Sequence, residues 1–151
     1  MIVDTSAIVA MIRGEADAAV YARLIAEAAV ARISAATYVE LGIVIDGRHD
    51  PVLSGVLDRY LEDSGIEVEP LTADQARIAR EAYRRFGRTS GSPARLNMGD
   101  CFAYALARDL GEPLLFKGSD FKETDIELVI EPIPHKRLSE VVASYATGST
   151  R

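Results

Sequence analysis

Short apolar runs set between helix-patterned stretches recur along this chain, and that alternation constrains the fold more than any other feature. Residues 1–3 form an apolar run that ends at Asp4, and further runs lie at 30–33, 66–69, 114–116 and 127–130. Each has the length of a buried strand and is too short for a stable helix. The stretches between them carry helix start and stop signals. Ser6 is placed to cap a helix over 7–13 that Gly14 stops, and a second helix spans 17–29 with Val20, Leu24 and Ile25 on one face. Ser34 opens a helix that ends near Gly47, and Asp50 before Pro51 opens another to residue 63, where proline has no needed N–H to lose. Thr72-x-x-Gln75 is a capping box for a helix ending at Phe86, and Asn97 caps a helix that Gly111 closes. Strands alternating with helices predict an α/β domain, with a mainly parallel sheet of about five strands and helices on both faces.

A chain of 151 residues has room for one core, and no repeat or low-complexity tract divides it. Residues 1–133 therefore read as one domain, and 134–151 as a C-terminal tail with a short helix around 138–145. The lone Cys101 excludes an internal disulfide framework and reads as a small buried hydrophobe in a reducing compartment. Neither a basic-then-apolar leader nor an apolar stretch approaching the ~20 residues of a membrane span is present. The expectation is a cytoplasmic protein that does not engage the membrane.

In sheets of this kind ligands sit beyond the carboxyl ends of the strands, so the acids found there matter most. Asp4 closes the first strand, and Asp120 follows the fourth. Asp100 lies in the first turn after the Asn97 cap, and Glu40 interrupts the apolar stretch Tyr38-Val39-Glu40-Leu41. A carboxylate on an apolar element is costly unless it is paired, hydrogen-bonded or bound to a cation, and these segments hold few basic partners. Individually the acids have structural readings: Asp4 as a helix cap, Asp100 as a dipole partner, Asp120 and Asp125 as loop acids. Together they point to an oxygen-ligand site for a hard cation. His49 and His135 fall in a loop and a tail and read as solvated. Tyr38 and Tyr104 read as core residues before base-stacking platforms.

The net charge of −6 argues against a polyanionic partner. Cation-binding carboxylates overstate that repulsion, however, and the basic residues are unevenly spread. Arg77, Arg80, Arg84, Arg85 and Arg88 follow the helix that starts at Thr72, with Arg95 in the next loop. The stripe reads equally as a phosphate contact, with Arg84, Arg85, Arg88 and Arg95 as the candidates, or as a solvated helix face with pairs such as Arg77–Glu81.

Four motifs give this pattern a family. They are Met-Ile-Val-Asp-Thr-Ser-Ala at the start, Ser-Ala-Ala-Thr-Tyr-Val-Glu-Leu around Glu40, Asn-Met-Gly-Asp-Cys-Phe-Ala-Tyr-Ala around Asp100, and Leu-Leu-Phe-Lys-Gly-Ser-Asp-Phe around Asp120. Over residues 1–131 the chain resembles PIN domains, and more narrowly VapC-type toxins of bacterial toxin–antitoxin pairs. The resemblance implies a three-layer α/β/α fold and a Mg²⁺- or Mn²⁺-dependent endoribonuclease, with Asp4, Glu40, Asp100 and Asp120 as catalytic metal ligands. One or two such ions would activate water and leave a 5′-phosphate and a 3′-hydroxyl. Thr5 and Ser6 would orient Asp4 or a metal-bound water. Many relatives carry Thr-x-Asp-x-Asp-Phe in the fourth motif. Gly118 replaces the first of those acids here, leaving Asp120 with the role and Asp125 in reserve. The resemblance also implies an RNA substrate, a VapB-type antitoxin that blocks the acidic pocket with a basic side chain, a homodimer and a toxin–antitoxin hetero-oligomer.

A haloacid-dehalogenase-type phosphohydrolase would need Asp-x-Asp-x-Thr, and Asp4-Thr5-Ser6 lacks the second acid. The remaining alternative is a degenerate PIN-like module that binds RNA or protein without cleaving; the loss of an acid at Gly118 is what keeps it open.

Overall fold

The apolar runs form the centre of the molecule. A computed structural model describes residues 1–129 and places β1 (Ile2–Val3), β2 (Arg32–Ser34), β3 (Glu67–Glu69) and β4 (Leu114–Leu115) in one parallel sheet, ordered β3-β2-β1-β4. Helices α1 (Thr5–Ile12) and α2 (Ala18–Glu27) join β1 to β2, and α3 (Ala35–Asp46) and α4 (Pro51–Asp63) join β2 to β3. The chain then returns through α5 (Ala73–Phe86) and α6 (Met98–Leu110) to lay β4 on the other side of β1.

Strand side chains alternate between faces, and that alternation divides the core in two. Val3 and Leu115 pack among residues of α1, α2, α3 and α4, including Ile8, Tyr21, Leu41, Ile45 and Leu57. Their neighbours Ile2 and Leu114 pack against α5 and α6, among Ala79, Ala82, Tyr104 and Leu106. The register Ile2↔Leu114 and Val3↔Leu115 keeps each pair on one face. The result is the three-layer α/β/α arrangement, with the direction of strand addition reversing between β1 and β4. The carboxyl ends of those two strands flank the crevice where such sheets bind ligands.

Three expectations change. The first helix starts at Thr5 and is capped by Asp4, not by Ser6. The run at 127–130 does not make a fifth strand among the described residues. It pairs through one parallel bridge, Leu114↔Leu128, with the Val129 N–H donating to the Leu114 carbonyl at 2.9 Å. Tyr38 is 42% exposed and belongs to no core, whereas Tyr104 is buried. Residue 130 and the tail at 134–151, with its expected helix at 138–145, lie outside the described residues. Among the described residues no helix is long and apolar enough to cross a membrane.

Candidate active site

Each carboxylate reaches the β1/β4 edge on a different element. Asp4 leaves β1 and caps α1: its Oδ2 accepts the Ser6 backbone N–H at 2.9 Å and the Ser6 hydroxyl at 2.6 Å. The capping reading of Asp4 is therefore correct, and it leaves the carboxylate at the carboxyl end of β1, close enough to Glu40 to feel its charge. Asp4 is 4% exposed, and burial pushes its pKa up; the Ser6 hydrogen bonds oppose that rise, and Glu40 adds to it.

Glu40 lies in the second turn of α3, which Ser34 caps. Its Oε2 accepts the Thr5 hydroxyl at 2.9 Å, so the Asp-Thr-Ser turn fastens two acids at once. Burial raises the Glu40 pKa, the Thr5 bond lowers it, and Asp100 raises it further. A close approach makes this possible: a Cβ built on Gly99 would stand 2.0 Å from Glu40 Oε1. Only glycine leaves room for the carboxylate against the first turn of α6.

Asp100 completes a capping box. Its own N–H donates to Asn97 Oδ1 at 3.0 Å, and its Oδ2 accepts the Asn97 N–H at 2.7 Å. Desolvation pushes its pKa up to about 6; the Asn97 bond opposes this, Asp4 and Asp120 repel its charge, and Arg88 favours it. Asp120 is exposed and opens the short 3-10 helix at Asp120–Glu123 after β4. Asp4 and Glu40 thus repel one another, as do Glu40 and Asp100, and Asp100 also feels Asp4 and Asp120: one electrostatic cluster.

Among the described residues, the hydrogen-bond donors to Asp4, Glu40 and Asp100 are neutral: Ser6, Thr5 and the Asn97 backbone. Neutral donors leave the summed negative charge in place. An all-oxygen set of this kind matches the chemistry of a hard divalent cation. The side chains do not form a finished cage: among the described residues, no three acids, histidines or cysteines stand close enough to hold an ion as they are.

The other predicted residues separate. Arg88 is exposed and near enough to Asp100 to favour its charge. Arg84 pairs with Glu81 at 3.0 Å, and Arg85 pairs with Asp125 at 2.9 Å while lying over the Phe86 ring. Arg77 pairs with Asp74, not Glu81. Arg77 and Arg84 thus lie on the exposed helix face, each paired with an acid three residues away. Arg95 is exposed at φ +54°, in a loop closed by the Arg88 N–H to the Leu96 carbonyl at 3.2 Å. Asp125, the reserve acid, is engaged away from the other four: it accepts the Tyr104 hydroxyl at 2.6 Å as well as Arg85. Those partners hold its pKa below the usual range. Cys101 is buried and its thiol is pushed up to about 12, so it is inert at neutral pH. One contributor was missed, Gly99; glycine inside a helical pattern immediately before an acid was the available signal.

With this geometry in hand, known proteins can be compared. The PIN domain family model matches residues 1–127. The chain belongs to the PIN-domain family. Within it, Ribonuclease VapC28 of Mycobacterium tuberculosis is 56% identical over 131 residues, covering 87% of this chain and 98% of that protein. The crystal structure of M. tuberculosis VapC20, described as a Sarcin-Ricin loop cleaving toxin, superposes with a TM-score of 0.69 at 22% identity, over 86% of this chain and 98% of that one. A toxin–antitoxin complex from Klebsiella pneumoniae gives 0.65 at 17% identity, over 87% and 98%. These two share the fold; the 56% identity places the chain among the VapC ribonucleases.

Proposed function

We propose that this PIN-domain protein is the endoribonuclease toxin of a toxin–antitoxin pair. Asp4, Glu40, Asp100 and Asp120 would hold Mg²⁺ or Mn²⁺ at the β1/β4 edge. The observation that carries this reading is the convergence of four acids from four elements into one cluster, and three of them accept hydrogen bonds from neutral donors. A bound divalent cation supplies charge neutralisation at the scissile phosphate and a hydrolytic water of lowered pKa. The protein's own groups do the rest. Thr5 and Ser6 fix two carboxylates by donating hydrogen bonds, and the Asn97–Asp100 box fixes a third. Arg88, beside Asp100, is the cation placed to meet an incoming RNA phosphate, with Arg95 further along the same loop. Arg84 and Arg85 are already engaged and contribute less.

Likeness to VapC ribonucleases and to a toxin–antitoxin complex supports a VapB-type antitoxin partner, and the proposal includes a homodimer and a hetero-oligomer acting in the cytoplasm. All four acids are present, so the non-cleaving alternative gains no support. The test is cleavage of total RNA with Mg²⁺, with EDTA, and with Asp4→Asn. Cleavage is expected only with the ion and the intact acid; cutting that persists in EDTA sinks the reading. Co-expression of the neighbouring gene should relieve growth inhibition, and failure to bind or relieve it removes the toxin assignment.

A further inference from the structure

The fourth motif departs from its family pattern at Gly118, and the structure shows what accompanies that change. Gly118 has φ +118°, a conformation that L side chains rarely adopt. The residue before it, Lys117, turns its ammonium between Glu15 Oε2 at 2.5 Å and Asp17 Oδ1 at 2.8 Å, in the connection between α1 and α2. Both partners favour its charged form, and its pKa rises well above the usual lysine range.

The backbone of the same residue points into the site. The Lys117 N–H donates to Ser6 Oγ at 2.9 Å, and the Ser6 hydroxyl donates to Asp4 Oδ2 at 2.6 Å. An amide nitrogen can only donate, so the Ser6 oxygen is used as its acceptor and the hydroxyl proton is directed at Asp4. The relay therefore has one sense, from Lys117 through Ser6 to Asp4. Asp120 follows three residues later, so the placement of this loop also sets where the fourth carboxylate starts.

We propose that Lys117 is a positioning residue for cleavage. Clamped by Glu15 and Asp17, it holds its amide against Ser6 and thereby fixes the orientation of Asp4 and the approach of Asp120. The three charged groups are partly exposed, so each ion pair contributes little to stability. Their effect is geometric. The role in cleavage rests on the ribonuclease reading above; the clamp itself does not.

Lys117→Met keeps the side-chain stem and removes the charge. It is expected to lower kcat about tenfold while KM stays within about twofold, since small misplacements of catalytic groups act on the reacting geometry. In metal-free protein, hydrogen exchange at the amide of residue 117 should accelerate about tenfold. The double variant with Ser6→Ala should lose less than the product of the two single losses, because both act on Asp4 through one relay. Lys117→Arg should restore most of the rate. Glu15→Gln loosens the clamp from its other end and gives the same readouts should Lys117→Met not fold. Unchanged kcat, a lost rate with amide protection intact, additive losses in the double variant, or a rise in KM alone would each overturn the proposal. If the unaltered protein cleaves no RNA, the ribonuclease reading fails, while amide exchange still decides whether the clamp holds the loop.

Discussion

Asp100 is held where its charge works against the fold. Its pKa of about 6 in the folded chain, against 3.8 ordinarily, means the folded state binds more protons than the unfolded state between about pH 4 and 6. Stability therefore falls as pH rises through that window and stays lower above it. Burial raises the pKa of Asp4 and Glu40 as well, with the same sign. Thermal unfolding of metal-free protein should show a higher midpoint near pH 5 than near pH 7. Asp100→Asn keeps the oxygen that accepts the Asn97 N–H. It should flatten that slope and add about 1–2 kcal/mol at neutral pH, discounted because the group is partly exposed, while abolishing cleavage. An unchanged midpoint would count against this account. Gly99→Ala separates function from stability in the same way. The clash falls on the mobile end of Glu40, and alanine favours a helix by up to about 1 kcal/mol, so the melting temperature should hold or rise. Cleavage should still fall by about tenfold or more, as a rate assay would show. Asp4, Glu40 and Asp100 stood out as candidates because they lie together in apolar stretches with few basic partners nearby, although Asp4 and Asp100 each also serve a local cap. The fates of Arg85 and Asp125 were not legible, because those residues are 40 positions apart and meet only across the folded surface.

At the scale of elements, helix starts were the most readable feature. Asp50, Thr72 and Asn97 all cap as their sequences imply, because capping involves neighbours three residues apart or fewer. The first helix differed by two residues because Asp4 and Ser6 both suit the cap, and the pairing of Asp4 N–H with the Leu115 carbonyl at 2.9 Å selects Asp4. The segment after the 3-10 helix is tied to α5 and α6 through Asp125, which receives Arg85 and the hydroxyl of buried Tyr104. Asp125→Ala should cost about 1–2 kcal/mol in denaturant unfolding by stranding that hydroxyl. Cleavage should be retained under stabilising conditions. A loss of cleavage equal to that of Asp120→Asn would return Asp125 to the site.

The whole molecule gathers carboxylates beyond the carboxyl ends of two paired strands of a parallel sheet, and it should respond to a cation as a unit. Mg²⁺ at about a hundred times its dissociation constant should stabilise the fold by about 2.7 kcal/mol, read as a rise in melting temperature. That rise should vanish with EDTA or with Asp4→Asn; a rise that survives in the variant would place the ion elsewhere. Sequence by itself determined the α/β class, the helix caps at Ser34, Asp50, Thr72 and Asn97, and the three acids on apolar elements as candidates. Those follow from periodicity, from local hydrogen bonding and from the cost of a carboxylate without a compensating charge. Only the tertiary structure decided that 127–129 pairs through a single bridge, that Arg85 serves Asp125 and that Gly99 makes room for Glu40. It also decided that Asp120 shares a cluster with Asp100 and that Lys117 reaches Glu15, Asp17 and Ser6. Each of these depends on residues brought together by the return from β3 to β4, and no local spacing records which side chains meet there.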